Sequence, residues 1–443
     1  MISFGEILCY MEVSMSSNRV FNNAKWIVIC KIAQSLLQFV VGMLCARYLG
    51  PSNYGVINYA SSVVAFVIPI MQLGLQSTLM QEFVENPDDE GKIMGTSLIM
   101  NLVSGVFCML MVGAFVSVAN YGEPETIIVC ILYSISLIFR ALELLQYWFQ
   151  YKLQSKYPSI IMLLSYIVVS AYRIFLLVTG KSIYWFAVVN ALDFAIIGIA
   201  LLVIYIKRGA PRLSFSPALI KKLFKRSKFY ILASMMVTLF HNTDHIMLKL
   251  MSGDAENGYY TAAITCASVF QFVYMAIVDS MRPVILKYKK ENQEKYEKNI
   301  SKLYCITSYM ALVQGLGFTV FARLIVWILY GTEYAPSVLV LQILVWYIAF
   351  SYMGVVRNIW ILAEGKHKLL WKINLVGALA NAFINLLLIP SMGAVGAATA
   401  SLFTQFFTNF VLGFIIKPIR ENNRLLLKGL NPKILLSLLD KNN

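Results

Sequence analysis

Apolar residues run along this chain in long stretches parted by short polar connections. A helix rising ~1.5 Å per residue needs about 20 apolar residues to cross a hydrocarbon core ~30 Å thick. Twelve stretches reach that length, near 24–46, 56–80, 94–118, 126–148, 158–179, 183–206, 229–251, 259–282, 303–329, 335–362, 369–390 and 393–416. In lipid every backbone polar group must be satisfied inside its own segment or inside a closed barrel, and the alternating ten-residue segments of a barrel are absent. The pattern therefore predicts an all-α integral membrane protein with twelve transmembrane helices in two six-helix lobes. The expected organisation is an N-terminus over 1–23, an N-lobe over 24–206, a basic linker over 207–228, a C-lobe over 229–416 and an amphipathic tail over 417–443.

Composition agrees. Of 443 residues, 59% are hydrophobic and 13% charged, too much apolar surface for one soluble core. The net charge of +15 would suggest nucleic acid in a soluble protein, but here its placement between the spans carries the information. Odd-to-even connections hold two basic residues, Arg47 and Lys181, whereas the N-terminus, the even-to-odd connections and the tail hold 26. That bias places both termini in the cytoplasm. The eight basic residues of the central segment, from Lys207 to Lys228, read as a topology signal and as headgroup contacts, not as a nucleic-acid site. The acidic loop Glu82, Glu85, Asp88, Asp89 and Glu90 reads as a solvated face.

The seven cysteines lie mostly inside apolar spans with no CxxC pair, and read as small packing residues. Residues 1–23 lack a basic stretch before an apolar core and a small-residue cleavage site, so no cleavable signal is expected. Met15 is an alternative start.

A weak internal repeat relates the halves. A shift of 203 positions brings Lys25 onto Lys228, Gly55 onto Gly258 and Ala60 onto Ala263, and each first hairpin turns through a Gly-Tyr-rich loop. Duplicated bundles are a usual plan of secondary transporters.

No Walker loop, HExxH, GxSxG or loop Cys/His array is present, so neither an enzyme nor a metal centre is expected. The outer connections are too short to form a domain. What remains is the set of ionisable residues inside spans, each costing roughly 2.5–3.5 kcal/mol at a helix centre. Lys31, Arg140, Arg173 and Lys249 are the candidates for a cationic cavity, which would attract an anion. Lys249, Arg323 and Arg357 lie near span ends, within snorkelling reach of the interface. Glu143 offers Arg140 a partner three residues on, and Asp193 or Asp279 could pair with Lys31. On span seven, His241, Asp244, His245 and Lys249 share one helical face. Asp244 with His241 or His245 is the candidate for proton coupling, an interhelical hydrogen-bond network being the alternative. Asn374, Asn381 and Asn385 share a face of span eleven and read as polar glue between helices, with a sugar-binding face as the rival reading.

Three motifs carry a resemblance. Ala46-Arg47-Tyr48-Leu49-Gly50-Pro51-Ser52-Asn53-Tyr54-Gly55 resembles the "RxLGPxxYG" hairpin of bacterial polysaccharide flippases. Asn242-Thr243-Asp244 with Gly258-Tyr259-Tyr260-Thr261-Ala262-Ala263 resembles their seventh and eighth spans, and Gly393-Ala394-Val395-Gly396-Ala397-Ala398-Thr399-Ala400 their twelfth. The family is the O-antigen and polysaccharide (Wzx-type) translocases of the multidrug/oligosaccharidyl-lipid/polysaccharide exporter (MOP) superfamily, with a MATE-like fold. The resemblance implies alternating-access transport of an undecaprenyl-pyrophosphate-linked oligosaccharide across the bacterial inner membrane. The pyrophosphate would meet the family's cationic cavity, matched by residue type to Lys31, Arg140, Arg173 and Lys249. No cofactor is implied beyond H+ or Na+ as coupling ion. Expected partners are the lipid-linked oligosaccharide, membrane lipids and, as candidates, a polysaccharide polymerase and chain-length machinery. The rival readings are a multidrug or cation-coupled exporter of the same fold and, from another class, a membrane-embedded glycosyltransferase or polymerase. The last would need a sizeable catalytic loop.

Overall fold

A computed structural model describes the backbone of residues 4–366 and 368–434; the side chains of residues 4–29, 31, 233, 240 and 368 lie outside the described part. Helices make up the described chain, with no strand among them: α1 (Phe4–Met71), α2 (Leu79–Glu85), α3 (Glu90–Ala119), α4 (Pro124–Ser134), α5 (Ser136–Arg140), α6 (Leu145–Tyr151), α7 (Lys156–Val178), α8 (Ile183–Lys207), α9 (Pro217–Ser252), α10 (Asp254–Ala267), α11 (Gln271–Glu291), α12 (Gln293–Tyr330), α13 (Ser337–Ala363), α14 (Lys368–Phe406), α15 (Leu412–Ile415) and α16 (Arg420–Gly429). A π-helical turn, Phe407–Val411, joins α14 to α15.

By length and hydropathy, eight tracts among the described residues qualify as spans, or nine if the bent pair α10 and α11 is one span, against the twelve segments expected. Two causes are visible. α1 and α14 each run through a residue with non-helical backbone, Gly50 (φ 71°, ψ 170°) and Gly393 (φ 53°, ψ −130°), so two apolar segments read as one helical tract. Span seven falls within α9, whose first turns carry Lys221, Lys222, Lys225, Arg226 and Lys228 and whose later turns carry the His241–Lys249 polar face. The chain is a multi-pass membrane protein. Its long helices present large apolar side chains outward, among them Leu110 and Val118 on α3 and Val313 and Val320 on α12, each at least 68% exposed, as lipid-facing surfaces do.

The chain divides into two compact units: residues 1–42 with 63–235, and residues 43–62 with 236–443. In the first unit, Phe83, Leu145, Trp148, Phe149, Leu201 and Tyr205 form the centre of a buried cluster. In the acidic loop Glu85, Asp88 and Asp89 face outward as expected, but two of the five acids do not. Glu82 and Glu90 are buried because each carboxylate is met by cations: Lys222 (2.8 Å) and Arg226 on Glu82, Lys152 (2.6 Å) on Glu90, which also accepts from the Trp148 indole N–H at 2.8 Å. Arg226 also reaches Glu85 at 2.7 Å, and its hydrogen bond holds that carboxyl below the usual carboxylate range. The extended stretch ahead of α9 lies along α3. Ser214 N–H donates to Gly91 O (3.2 Å) and Ser216 N–H to Thr96 Oγ1 (3.0 Å). Any side chain at Gly91 or Gly95 would strike that backbone.

In the second unit, Tyr334, Tyr330, Tyr274 and Tyr352 stand in a buried cluster with Leu341, Leu344 and Ala397, the Tyr274 and Tyr352 rings stacked 3.6 Å apart. The internal repeat acquires geometry here. Gly253, which the 203-residue shift matches to Gly50, has nearly the same backbone conformation (φ 94°, ψ −179°). A Cβ on Gly55 would strike the carbonyl of Asp254, and a Cβ on Gly258 would strike the carbonyl of Pro51. Because Pro51 corresponds to Asp254 under the same shift, the two contacts are one contact made twice. Asn257 seals it, donating from Nδ2 to Gly55 O at 2.8 Å. The third motif turns at Gly393, where the Glu256 carboxylate accepts from Ala394 N–H at 2.6 Å and so caps the restarted helix.

The predicted amphipathic tail appears as α16, with Leu425 and Leu426 buried against α12; residues 435–443 lie outside the described residues. Asn422 accepts from Tyr304 OH (2.9 Å) and Asn423 donates to Phe410 O in the π-helical turn (2.7 Å). The six described cysteines are buried and form no disulfide, as packing residues should.

Candidate functional site

The hydrogen-bonded centre of the second unit is Asp244, 5% exposed on α9. Its Oδ1 accepts from Asn385 Nδ2 (2.6 Å), and its Oδ2 accepts from Tyr260 OH (2.7 Å) and Ser401 Oγ (2.5 Å). Asn381 extends the network, donating to Ser401 Oγ (3.3 Å) and accepting from Asn385 (3.1 Å). Asn385, Tyr260 and Ser401 thus converge on the carboxylate as neutral donors. Asn385 Oδ1 is buried without a partner among the described residues, so a second oxygen near the carboxylate is left unsatisfied there.

His245 and His241 diverge from this centre. His245 Nδ1 lies 2.8 Å from Asn257 Oδ1, and the ring packs edge-on to Tyr260, 5.1 Å between centroids. Asn257 uses its amide N–H on Gly55, so its oxygen accepts from His245, and Nδ1 carries the proton. Tyr260 thus links His245 to Asp244, and Asn257 links it to the glycine contact. His241 lies one turn away, at the wall of a cavity of about 190 Å³ with Arg357, Asn358, Asn374, Gln405 and Asn409.

Lys249 is buried on the same helix and pairs with Asp254 at 2.7 Å, across the Gly253 break. Arg140 and Arg173 belong to the first unit. Arg140 Nε meets Glu143 at 3.3 Å, the local pair anticipated for it, and its guanidinium lies over Phe194 at 4.4 Å. Arg173 donates to Tyr166 OH at 3.4 Å. The side chain of Lys31 lies outside the described residues. Among its expected partners, Asp193 accepts from Ser165 (2.7 Å) and Asp279 pairs with Arg282 (3.6 Å). No cluster of three or more metal-ligating side chains exists among the described residues.

Sequence reasoning reached Asp244 and both histidines but missed Tyr260 and Ser401, which come from other helices. The Asn374, Asn381 and Asn385 stripe was the available signal: two of its members complete the Asp244 network and the third faces the cavity.

A profile of the polysaccharide biosynthesis protein family matches residues 20–289. The chain belongs to that family. It is 22% identical over 397 residues to the capsular polysaccharide biosynthesis protein CapF of Staphylococcus aureus, covering 87% of this chain and 96% of that protein. In fold it is similar to the lipid II flippase MurJ in an inward closed conformation, with TM-score 0.70, 14% identity and coverage of 94% of this chain and 93% of MurJ. An inward-facing MATE family transporter of the MOP superfamily gives TM-score 0.63, 12% identity and coverage of 89% and 96%. The family member thus has the MOP fold that its hairpin motifs led us to expect.

Proposed function

We propose that this protein is a flippase that carries an undecaprenyl-pyrophosphate-linked oligosaccharide, a repeat unit of O-antigen, capsule or exopolysaccharide, across the bacterial inner membrane by alternating access, with both termini cytoplasmic. The observation that carries the reading is the polysaccharide biosynthesis family match over residues 20–289 on a chain with a MOP transporter fold. The names of relatives support it: CapF belongs to capsular polysaccharide biosynthesis, MurJ is a lipid II flippase, and a matching Haloferax volcanii protein, Agl15, is called a probable low-salt glycan biosynthesis flippase. Lys31, Arg140, Arg173 and Lys249 are the groups assigned to the pyrophosphate. Arg140 and Lys249 would exchange a carboxylate partner for the phosphate oxygens, whereas Arg173 would release the Tyr166 hydroxyl.

Asp244 is the assigned coupling group. A buried carboxylate held by neutral donors beside an unsatisfied amide oxygen can take either a proton or a hard cation such as Na+, which prefers oxygen ligands. A drug exporter would direct such an acid at a cationic substrate; here three donors occupy it and the neighbouring cavity carries Arg357. The test is deletion of the gene followed by analysis of lipid-linked glycans in each leaflet. Accumulation of one lipid-linked oligosaccharide on the cytoplasmic leaflet is expected, and normal export of every such glycan refutes the proposal.

A further inference from the structure

Arg357 has no part in the coupling or pyrophosphate assignments, yet it is the costliest group in the cavity of the second unit. Its side chain is on α13, 4% exposed. Nη1 donates to Thr408 O (2.7 Å), a carbonyl of the π-helical turn, and Nη2 to Asn358 Oδ1 (3.1 Å); Nε is buried without an acceptor among the described residues. No carboxylate pairs with it among the described residues. A guanidinium keeps its charge when buried, and an uncompensated buried charge is strongly unfavourable. Most of its donor capacity, five N–H groups in all, therefore awaits an acceptor.

The surroundings suggest which acceptor. Asn374 and Ser351, on α14 and α13, line the same cavity and make no side-chain hydrogen bond among the described residues. Gln405 and Asn409 complete an amide-rich wall, bonded to each other. A bond to Thr408 would by itself justify a structural arginine. It would not require an orphan Nε beside an open cavity lined by further polar side chains. The open cavity, about 190 Å³, has room for one sugar ring.

We propose that this cavity is a subsite for a single negatively charged sugar residue, its carboxylate on Arg357 and its hydroxyls on Asn374 and Ser351. The proposal rests on the reading that the cargo is a lipid-linked oligosaccharide, and adds that the glycan contains an acidic sugar. It is tested with the full chain in lipid nanodiscs by titrating glucuronate, glucose and inorganic phosphate and following ligand saturation-transfer NMR. Glucuronate is expected to bind, with glucose and phosphate weaker by about tenfold or more, the scale set by one charge-assisted hydrogen bond. Arg357→Gln and, separately, Asn374→Leu should each weaken glucuronate by on the order of tenfold. The second substitution leaves Arg357 and its bond to Thr408 in place, so it decides the matter if the first fails to fold. Equal binding of glucose, phosphate binding as tight as glucuronate, or unchanged glucuronate affinity in Asn374→Leu overturns the subsite. A preparation that translocates lipid-linked oligosaccharide yet ignores glucuronate defeats this inference alone. One that binds glucuronate through Arg357 but translocates no such lipid defeats the flippase reading alone.

Discussion

The reciprocal glycine contact makes a quantitative claim about how the repeat is held together. In Gly55→Ala, the new methyl meets the carbonyl of Asp254; in Gly258→Ala, it meets the carbonyl of Pro51. Both obstacles are backbone, so neither can rotate away as a side chain would, and the two helices must separate. Overpacking of this kind costs typically ~1–3 kcal/mol. The separation also stretches the 2.8 Å bond from Asn257 to Gly55 O, a buried amide bond whose loss costs about 1–3 kcal/mol if left unmade. Each single variant should therefore lose about 2–6 kcal/mol, the upper end if the bond is lost outright. Because one displacement relieves both clashes, the double variant should lose little more than either single one, so the coupling should be about as large as one single loss, roughly 2 kcal/mol or more. The assay is equilibrium unfolding of the purified protein in detergent, followed by tryptophan fluorescence, for the wild type, both single variants and the double variant. Single variants as stable as wild type, or losses that simply add, would refute the argument that the two glycines share one contact.

Three further outcomes are expected. Glu256→Ala removes the acceptor for Ala394 N–H at the restart of α14 and should lower stability in the same assay by about 0.5–2 kcal/mol, as loss of other helix caps does. Gly95→Val should lift the Ser214–Ser216 backbone from α3; limited trypsin digestion should then cut at Arg208 or Arg212 several-fold faster, and an unchanged rate would mean that the linker is held elsewhere. Asn423→Leu leaves Phe410 O in the π-helical turn without its 2.7 Å donor, at a cost of about 1–3 kcal/mol, and hydrogen exchange over residues 404–415 should speed up.

The hydropathy pattern alone located every long helix, because lipid leaves the backbone no other regular choice. It already divided the chain into two spans around each of Gly50 and Gly393, where the structure runs one helical tract through a single residue of non-helical backbone. It placed Asp244 and the histidines on one face of a helix, since that needs only the 3.6-residue period. Tyr260, Asn385 and Ser401 stayed hidden as its partners, since periodicity within a helix says nothing about which helix lies opposite. Charge separation in sequence misled in the acidic loop: Glu82 and Glu90 are flanked by other acids, and the cations that bury them come from residues 152, 222 and 226. Lys249 illustrates the opposite case. Its partner Asp254 is five residues away, a spacing that faces no neighbour on a continuous helix and becomes a 2.7 Å pair only because the chain breaks at Gly253.

The account stands or falls on ion-coupled movement of a lipid-linked saccharide. The direct measurement is translocation of a fluorescent undecaprenyl-pyrophosphate oligosaccharide in proteoliposomes holding the purified protein, with an inward H+ or Na+ gradient imposed in turn. The wild type should translocate the lipid faster under one of the two gradients, and Asp244→Asn, which keeps the shape of the side chain but not its charge, should lose that acceleration while remaining folded. Translocation by Asp244→Asn with undiminished response to the gradient would contradict the coupling role, and a wild-type protein that moves no lipid-linked saccharide under either gradient would contradict the function itself.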